Sequence, residues 1–100
     1  MQKVHSWYLP DYDTHFEEWM TINNETEYQR LQREYALKQV GNFRTAIDIG
    51  GNIGFWSRDF CKRFKDVIIF EPDASNIECL EANLQGHRNY TLHKLGLGST

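Results

Sequence analysis

The sequence predicts an α/β fold: a parallel sheet of about three strands behind a helical N-terminal segment. Three observations carry that reading. Two short apolar runs, Ala46-Ile47-Asp48-Ile49 and Val67-Ile68-Ile69-Phe70, have the length and β-branched content of buried strands. A glycine-rich turn, Gly50-Gly51-Asn52-Ile53-Gly54, follows the first run at once, and a helical pattern follows the turn. The alternation then repeats, with Tyr90 and Leu92 marking a third run over 89–94. A β-α-β-α-β order with right-handed crossovers is half of a doubly wound sheet.

Length and composition narrow the class further. A chain of 100 residues has room for one core. Aromatic residues are plentiful and charge is moderate, which is the composition of an ordinary folded protein. A net charge of −3 gives no electrostatic reason to expect nucleic acid or an anionic membrane as partner. No apolar run approaches the ~20 residues of a membrane span, and no signal-peptide core opens the chain. Cys61 and Cys79 stand far apart, without Cys-x-x-Cys or a histidine at zinc-ligand spacing. Two buried, reduced thiols in a cytoplasmic protein are therefore expected, and no metal site.

The N-terminal 1–43 reads as a helical segment packing on the core, with Val4, Trp7, Tyr8 and Leu9 extended before Pro10. Thr14 with Glu17 forms a capping-box pattern, placing Phe16, Trp19 and Met20 on one side of a short helix. His15 beside that cap reads as a surface residue rather than a base. Asn24 with Glu27 repeats the signal and opens a helix ending near Val40-Gly41. Its core face is expected at Tyr28, Leu31 and Tyr35, with Arg30, Glu34 and Lys38 outside.

Behind the glycine turn, Trp56, Phe60 and Phe64 recur every fourth residue and are expected to face the sheet. Arg58, Asp59, Lys62, Arg63 and Lys65 make a solvated face. Ser75 with Glu78 is expected to cap the next helix, whose core face is Ile77, Leu80 and Leu84 and whose left-handed stop is Gly86. His87 and His93 read as surface or strand-end histidines.

The turn itself carries the chemistry. Strand, glycine-rich turn and helix bring backbone N–H groups toward a nucleotide-like ligand. A phosphate-binding loop would need Gly-Lys-Ser/Thr, and the lysine is absent. The dinucleotide fingerprint needs glycine at relative positions one, three and six. Counting from Gly50 returns Gly, Asn and Phe, so a nicotinamide-dependent oxidoreductase ranks behind the other readings. What remains is Asp-x-Gly-x-Asn-x-Gly, followed about 20 residues later by Glu71 at the end of the next strand, where a carboxylate accepts bonds from ribose hydroxyls. A purely structural account makes Asp48 a turn cap and Glu71 a solvated strand end.

Asp48-Ile49-Gly50-Gly51-Asn52-Ile53-Gly54 resembles the first motif of class I S-adenosylmethionine-dependent methyltransferases, and with asparagine in the middle it looks most like the FkbM-type branch. The resemblance covers 44–98 and implies the N-terminal half of a Rossmann-like three-layer sandwich, incomplete for want of later strands. It implies S-adenosylmethionine as cofactor, with Gly50, Gly51, Asn52 and Gly54 near the methionine portion and Asp48 holding its amino group. Glu71 would take the ribose hydroxyls, Pro72 and Asp73 would lie by the adenine edge, and Gly98 would close the other side. The implied reaction is methyl transfer, most often to a hydroxyl, of a small molecule or glycan if the apparatus is complete. The resemblance assigns no residue of this stretch a catalytic role, and the catalytic residues stay unknown.

Two functions of different class follow. One is a methyltransferase, or its cofactor-binding portion. The other is a non-catalytic module that pairs through the unpaired edge of the strand at 46–49, whose apolar residues call for cover and a neighbour.

Overall fold

The structure is a computed structural model that describes residues 1–22 and 28–96, with Met20 by its backbone alone. It opens on an antiparallel hairpin, β1 (Gln2–Val4) and β2 (Trp7–Leu9), followed by helices α1 (His15–Ile22) and α2 (Arg30–Lys38). Then come β3 (Thr45–Ile49), α3 (Phe55–Arg63), β4 (Asp66–Phe70), α4 (Ala74–Asn83) and β5 (Tyr90–His93). Strands β3, β4 and β5 form a parallel sheet in that spatial order. This is the Rossmann-like arrangement expected from the alternation of strands and helices.

Because both crossovers step in the same direction, their right-handedness puts α3 and α4 on one face of the sheet. The side chains agree. Ala46, Val67 and Ile69 are buried toward the helices, among Cys61, Phe64, Leu80 and Leu84. The alternate residues face away, and on β3 Ile47 and Ile49 are 59% and 63% exposed. In register beside them lie Ile68 and Phe70, half-buried, with the His93 ring stacked on Phe70.

The N-terminal elements cover the other side of α3. Trp7, Leu9, Phe16, Ile53, Phe55 and Cys79 form a second buried cluster, ringed by Trp19, Tyr28 and Trp56. One side chain ties the hairpin down. Asn83 accepts the Tyr8 N–H at 2.7 Å and donates to the Tyr8 carbonyl at 3.0 Å and to the Ile53 carbonyl at 2.7 Å. Asn89 does the corresponding work beneath α3, donating to the carbonyls of Cys61 and Phe64 at 2.9 Å each.

Several local expectations need correction. Asp13, not Thr14, serves the start of α1: its carboxylate accepts the N–H of His15 at 2.9 Å and of Phe16 at 3.4 Å. Asp13 sits one residue earlier, and its carboxylate is the stronger acceptor for helix N-terminal N–H groups. Asp73 likewise replaces Ser75 as the cap of α4, accepting the Asn76 N–H at 3.0 Å from extended backbone. The proposed cap at Asn24 and Glu27 lies outside the described residues.

The inward face of α2 is also displaced. Leu31 and Tyr35 are 62% and 70% exposed, whereas Arg33 and Leu37 are buried. Arg33 wins that place because its guanidinium pairs with Asp59 and donates to the Tyr28 carbonyl at 2.6 Å. Periodicity counts apolar residues and misses a buried ion pair. The face around α3 is correspondingly less solvated than expected. Asp59 receives Arg33, and Arg58 lies 3.4 Å over the Trp7 ring while donating to Ser6. On α3 itself, Phe55, Ser57 and Cys61 are buried, while Trp56 and Phe60 flank them in an edge-to-face ladder with Phe64. Ile77, Leu80, Leu84 and the left-handed Gly86 stand as expected.

Candidate functional site

The carboxyl ends of β3 and β4 meet at the glycine turn, where open α/β sheets bind ligands. Phe70, the last residue of β4, receives the N–H groups of both Gly50 and Gly51 on its carbonyl, at 2.8 and 3.0 Å. Glu71 accepts the next N–H, that of Asn52, at 2.7 Å. Gly54 donates to the Gly51 carbonyl at 3.0 Å. Every one of these loop N–H groups is therefore turned inward. The expectation that they approach a ligand is corrected: these N–H groups donate within the protein.

Backbone angles explain the residue choices. Gly50, Asn52 and Gly54 have φ of +74°, +57° and +99°. Asparagine is the non-glycine residue best suited to the middle position. Gly51 is required for a different reason. A Cβ there would stand 2.5 Å from Ile69 Cγ2 and 3.1 Å from Leu80 Cδ1, both in the core. Close approach of the loop to the sheet demands its bare backbone.

A cleft of about 270 Å³ opens beside this turn. Asp48, Ile49, Gly50, Gly51 and Asn52 line it. Tyr28 and Gln29 line it too, with Phe55 and Trp56 from the first turn of α3. Of the residues expected in a site, Asp48, Gly50, Gly51 and Asn52 thus come together. Glu71 joins them from behind through its bond to Asn52. Gly54 lies buried against Leu80 and Leu84 and does not line the cleft. Pro72 and Asp73 are exposed at the head of α4, next along from Glu71, and Gly98 lies outside the described residues.

Two carboxylates are partly withdrawn from water here. Asp48 accepts a short hydrogen bond from the Ser57 hydroxyl. Burial raises its carboxyl above the ordinary value; the Ser57 bond opposes that rise and the nearby charge of Glu71 adds to it. Glu71 is 5% exposed and accepts from the N–H groups of Asn52 and Asp73, the latter at 3.0 Å, and from the Asn76 amide at 3.4 Å. It is no solvated strand end. It braces the turn, whatever else it binds.

Tyr28 and Gln29 are site residues that helical periodicity does not find. Tyr28 packs edge-on to Phe16 and Trp19 and lies 5.1 Å from the Phe55 ring. Gln29 sits at φ +56°, and its side-chain oxygen accepts the Trp56 indole N–H at 2.9 Å. Nothing local in the sequence marks this corner; it is held beside α3 by the Arg33–Asp59 pair, the Trp56 bond to Gln29 and the Tyr28–Phe55 contact. Among the described residues, no group of three or more histidine, cysteine, aspartate or glutamate side chains could hold a metal ion. Both cysteines are free and buried.

No protein-family profile matches the chain, and no curated protein matches it. Solved structures do. Phosphoethanolamine N-methyltransferase 1 of Haemonchus contortus, in complex with phosphoethanolamine and S-adenosylhomocysteine, superposes with a TM-score of 0.59 at 18% identity, over 68% of this chain and 15% of that one. The complex of DhpI with S-adenosylhomocysteine gives 0.58 at 18% identity, over 84% of this chain and 37% of its own. Precorrin 8W decarboxylase of Methanobacterium thermoautotrophicum gives 0.58 at 24% identity, over 65% and 38%. The fold is theirs. The chain spans between 15% and 38% of the length of these structures. A scaffold common to proteins named as a methyltransferase and a decarboxylase leaves the reaction to be argued from the site.

Proposed function

We propose that this chain is the S-adenosylmethionine-binding portion of a methyltransferase, of the FkbM type and acting on a hydroxyl. The observation that carries the reading is one arrangement: Asp48, Gly50, Gly51 and Asn52 line a cleft at the strand ends, and the carboxylate of the next strand, Glu71, is bonded to the same turn. An adenosyl amino acid carries an ammonium at one end and ribose hydroxyls further along, and the two acidic groups suit these in that order. Two structural neighbours of the same fold hold S-adenosylhomocysteine, which supports the choice of ligand.

In this reading Asp48 takes the ligand ammonium, while Gly50, Gly51 and Asn52 bring the turn close beside the methionine chain. Glu71 uses its remaining acceptor capacity on the ribose, with Pro72 and Asp73 beyond it toward the base. The bound cofactor supplies an electrophilic methyl group; this chain positions it and excludes water. Positioning is the larger part of such a transfer. Titration of the folded chain with S-adenosylhomocysteine tests the proposal: binding is expected, weakened by Asp48→Ala, and the absence of any heat overturns it.

The exposure of Ile47 and Ile49 on an edge strand favours a second reading, a module completed by a partner or a second copy. Light scattering decides it. A strictly monomeric folded chain at tens of micromolar removes that reading.

A further inference from the structure

Gln29 has one end already occupied. Its Oε1 accepts the Trp56 indole N–H at 2.9 Å, and indole nitrogen is a donor only. That bond fixes which way round the amide stands, so the –NH2 group is the end that remains to be used. Gln29 lines the same cleft as Asp48, and among the described residues its amide nitrogen has no partner. The backbone holding it is strained, at φ +56° for a residue that is neither glycine nor asparagine. Such strain persists where surrounding structure enforces it. Here the Arg33 N–H donates to the Gln29 carbonyl at 3.0 Å, and the Arg33 guanidinium holds the Tyr28 carbonyl at 2.6 Å.

The cleft thus holds among its lining residues a carboxylate, Asp48, and an amide whose donor end is fixed, Gln29. That pairing matches the two charged groups of a free α-amino acid terminus, whose ammonium needs an acceptor and whose carboxylate needs a donor. We infer that Gln29 is a specificity-determining residue whose amide –NH2 donates to the α-carboxylate of the ligand, while Asp48 takes its ammonium. The inference rests on the proposed function and adds to it the group that selects an intact amino acid end. Trp56 acts through Gln29 as a positioning residue.

The test compares S-adenosylhomocysteine with its decarboxylated analogue, which keeps the ammonium and lacks the carboxylate. Calorimetric titration of the wild-type chain is expected to favour the intact compound by about tenfold, the scale of one charge-assisted hydrogen bond. Gln29→Glu keeps an acceptor for Trp56 and replaces the donor by a negative oxygen. It is expected to abolish or reverse that preference, losing affinity for S-adenosylhomocysteine and not for the analogue. Gln29→Leu, which adds no charge, is expected to abolish it too, with circular dichroism confirming that both variants fold. An unchanged preference in either folded variant, or equal losses for both compounds, overturns the assignment. If the wild type binds both compounds and only the preference fails to respond, the proposed function survives and Gln29 does not. A folded wild type that binds neither compound removes both.

Discussion

The backbone N–H of Asn52 donates to Glu71 Oε1 at 2.7 Å, joining the turn after one strand to the end of the next. Glu71 therefore serves the fold before any ligand arrives. Glu71→Ala leaves the N–H groups of Asn52 and Asp73 without their partner, an expected cost of about 2–4 kcal/mol in urea unfolding. Glu71→Gln keeps one acceptor and is expected to fall between the two. Loss of binding in Glu71→Ala is interpretable only beside that stability measurement.

Asp48 is expected to show the opposite relation between stability and binding. Its folded-state carboxyl is raised above the ordinary value of 3.8, chiefly by burial. The protonated form is favoured on folding, so its contribution is full below the unfolded value and is lost as pH rises through the folded one. Asp48→Asn escapes that loss while still accepting from Ser57. The variant is expected to match the wild type near pH 3.5 and to be more stable at pH 7, while binding S-adenosylhomocysteine more weakly. A variant less stable at pH 7 defeats this account.

Gly51→Ala forces a methyl group against Ile69 and Leu80. Overpacking of this kind costs about 1–3 kcal/mol. Removing the obstacle with Ile69→Ala is expected to make the double variant less destabilised than the sum of the singles, a coupling readable in a double-mutant cycle.

Asn83 holds both polar groups of Tyr8 and the carbonyl of Ile53. Asn83→Ala strands all three, and a loss of about 2–4 kcal/mol is expected, with the thermal midpoint lowered accordingly. Asn83→Asp keeps the acceptor for the Tyr8 N–H and loses the donors, so it is not expected to rescue.

Burial pushes the Cys61 thiol up to about 11 and raises Cys79 as well. Neither thiol is expected to react with a disulfide reagent at neutral pH until the chain unfolds. Rapid labelling of Cys61 in the native protein contradicts that expectation.

The parallel strands and the turn after the first of them were legible because each depends on neighbours in sequence. Ala46 to Ile49 and Val67 to Phe70 are short β-branched runs, and Gly50, Asn52 and Gly54 stand where left-handed backbone angles are needed. Asp48 and Glu71 could be placed near one another because a parallel β-α-β unit brings successive strand ends together. The caps at Asp13 and Asp73 were one or two residues off, since several short polar side chains competed for each helix start.

Other features depend on contacts between distant segments. Leu31 and Tyr35 satisfy a helical stripe, yet Arg33 occupies the interior because Asp59, on another helix, neutralises it. Tyr28 and Gln29 reach the cleft through that pair together with the Trp56 bond to Gln29 and the packing of Tyr28 on Phe55, all between distant segments. The inward aim of the loop N–H groups likewise awaits the Phe70 carbonyl and the Glu71 carboxylate, supplied from the neighbouring strand. Local backbone preference and hydrophobic pattern are short-range properties written along the chain. Which polar groups find each other across it is settled when the elements pack, and here that pairing shapes the cleft.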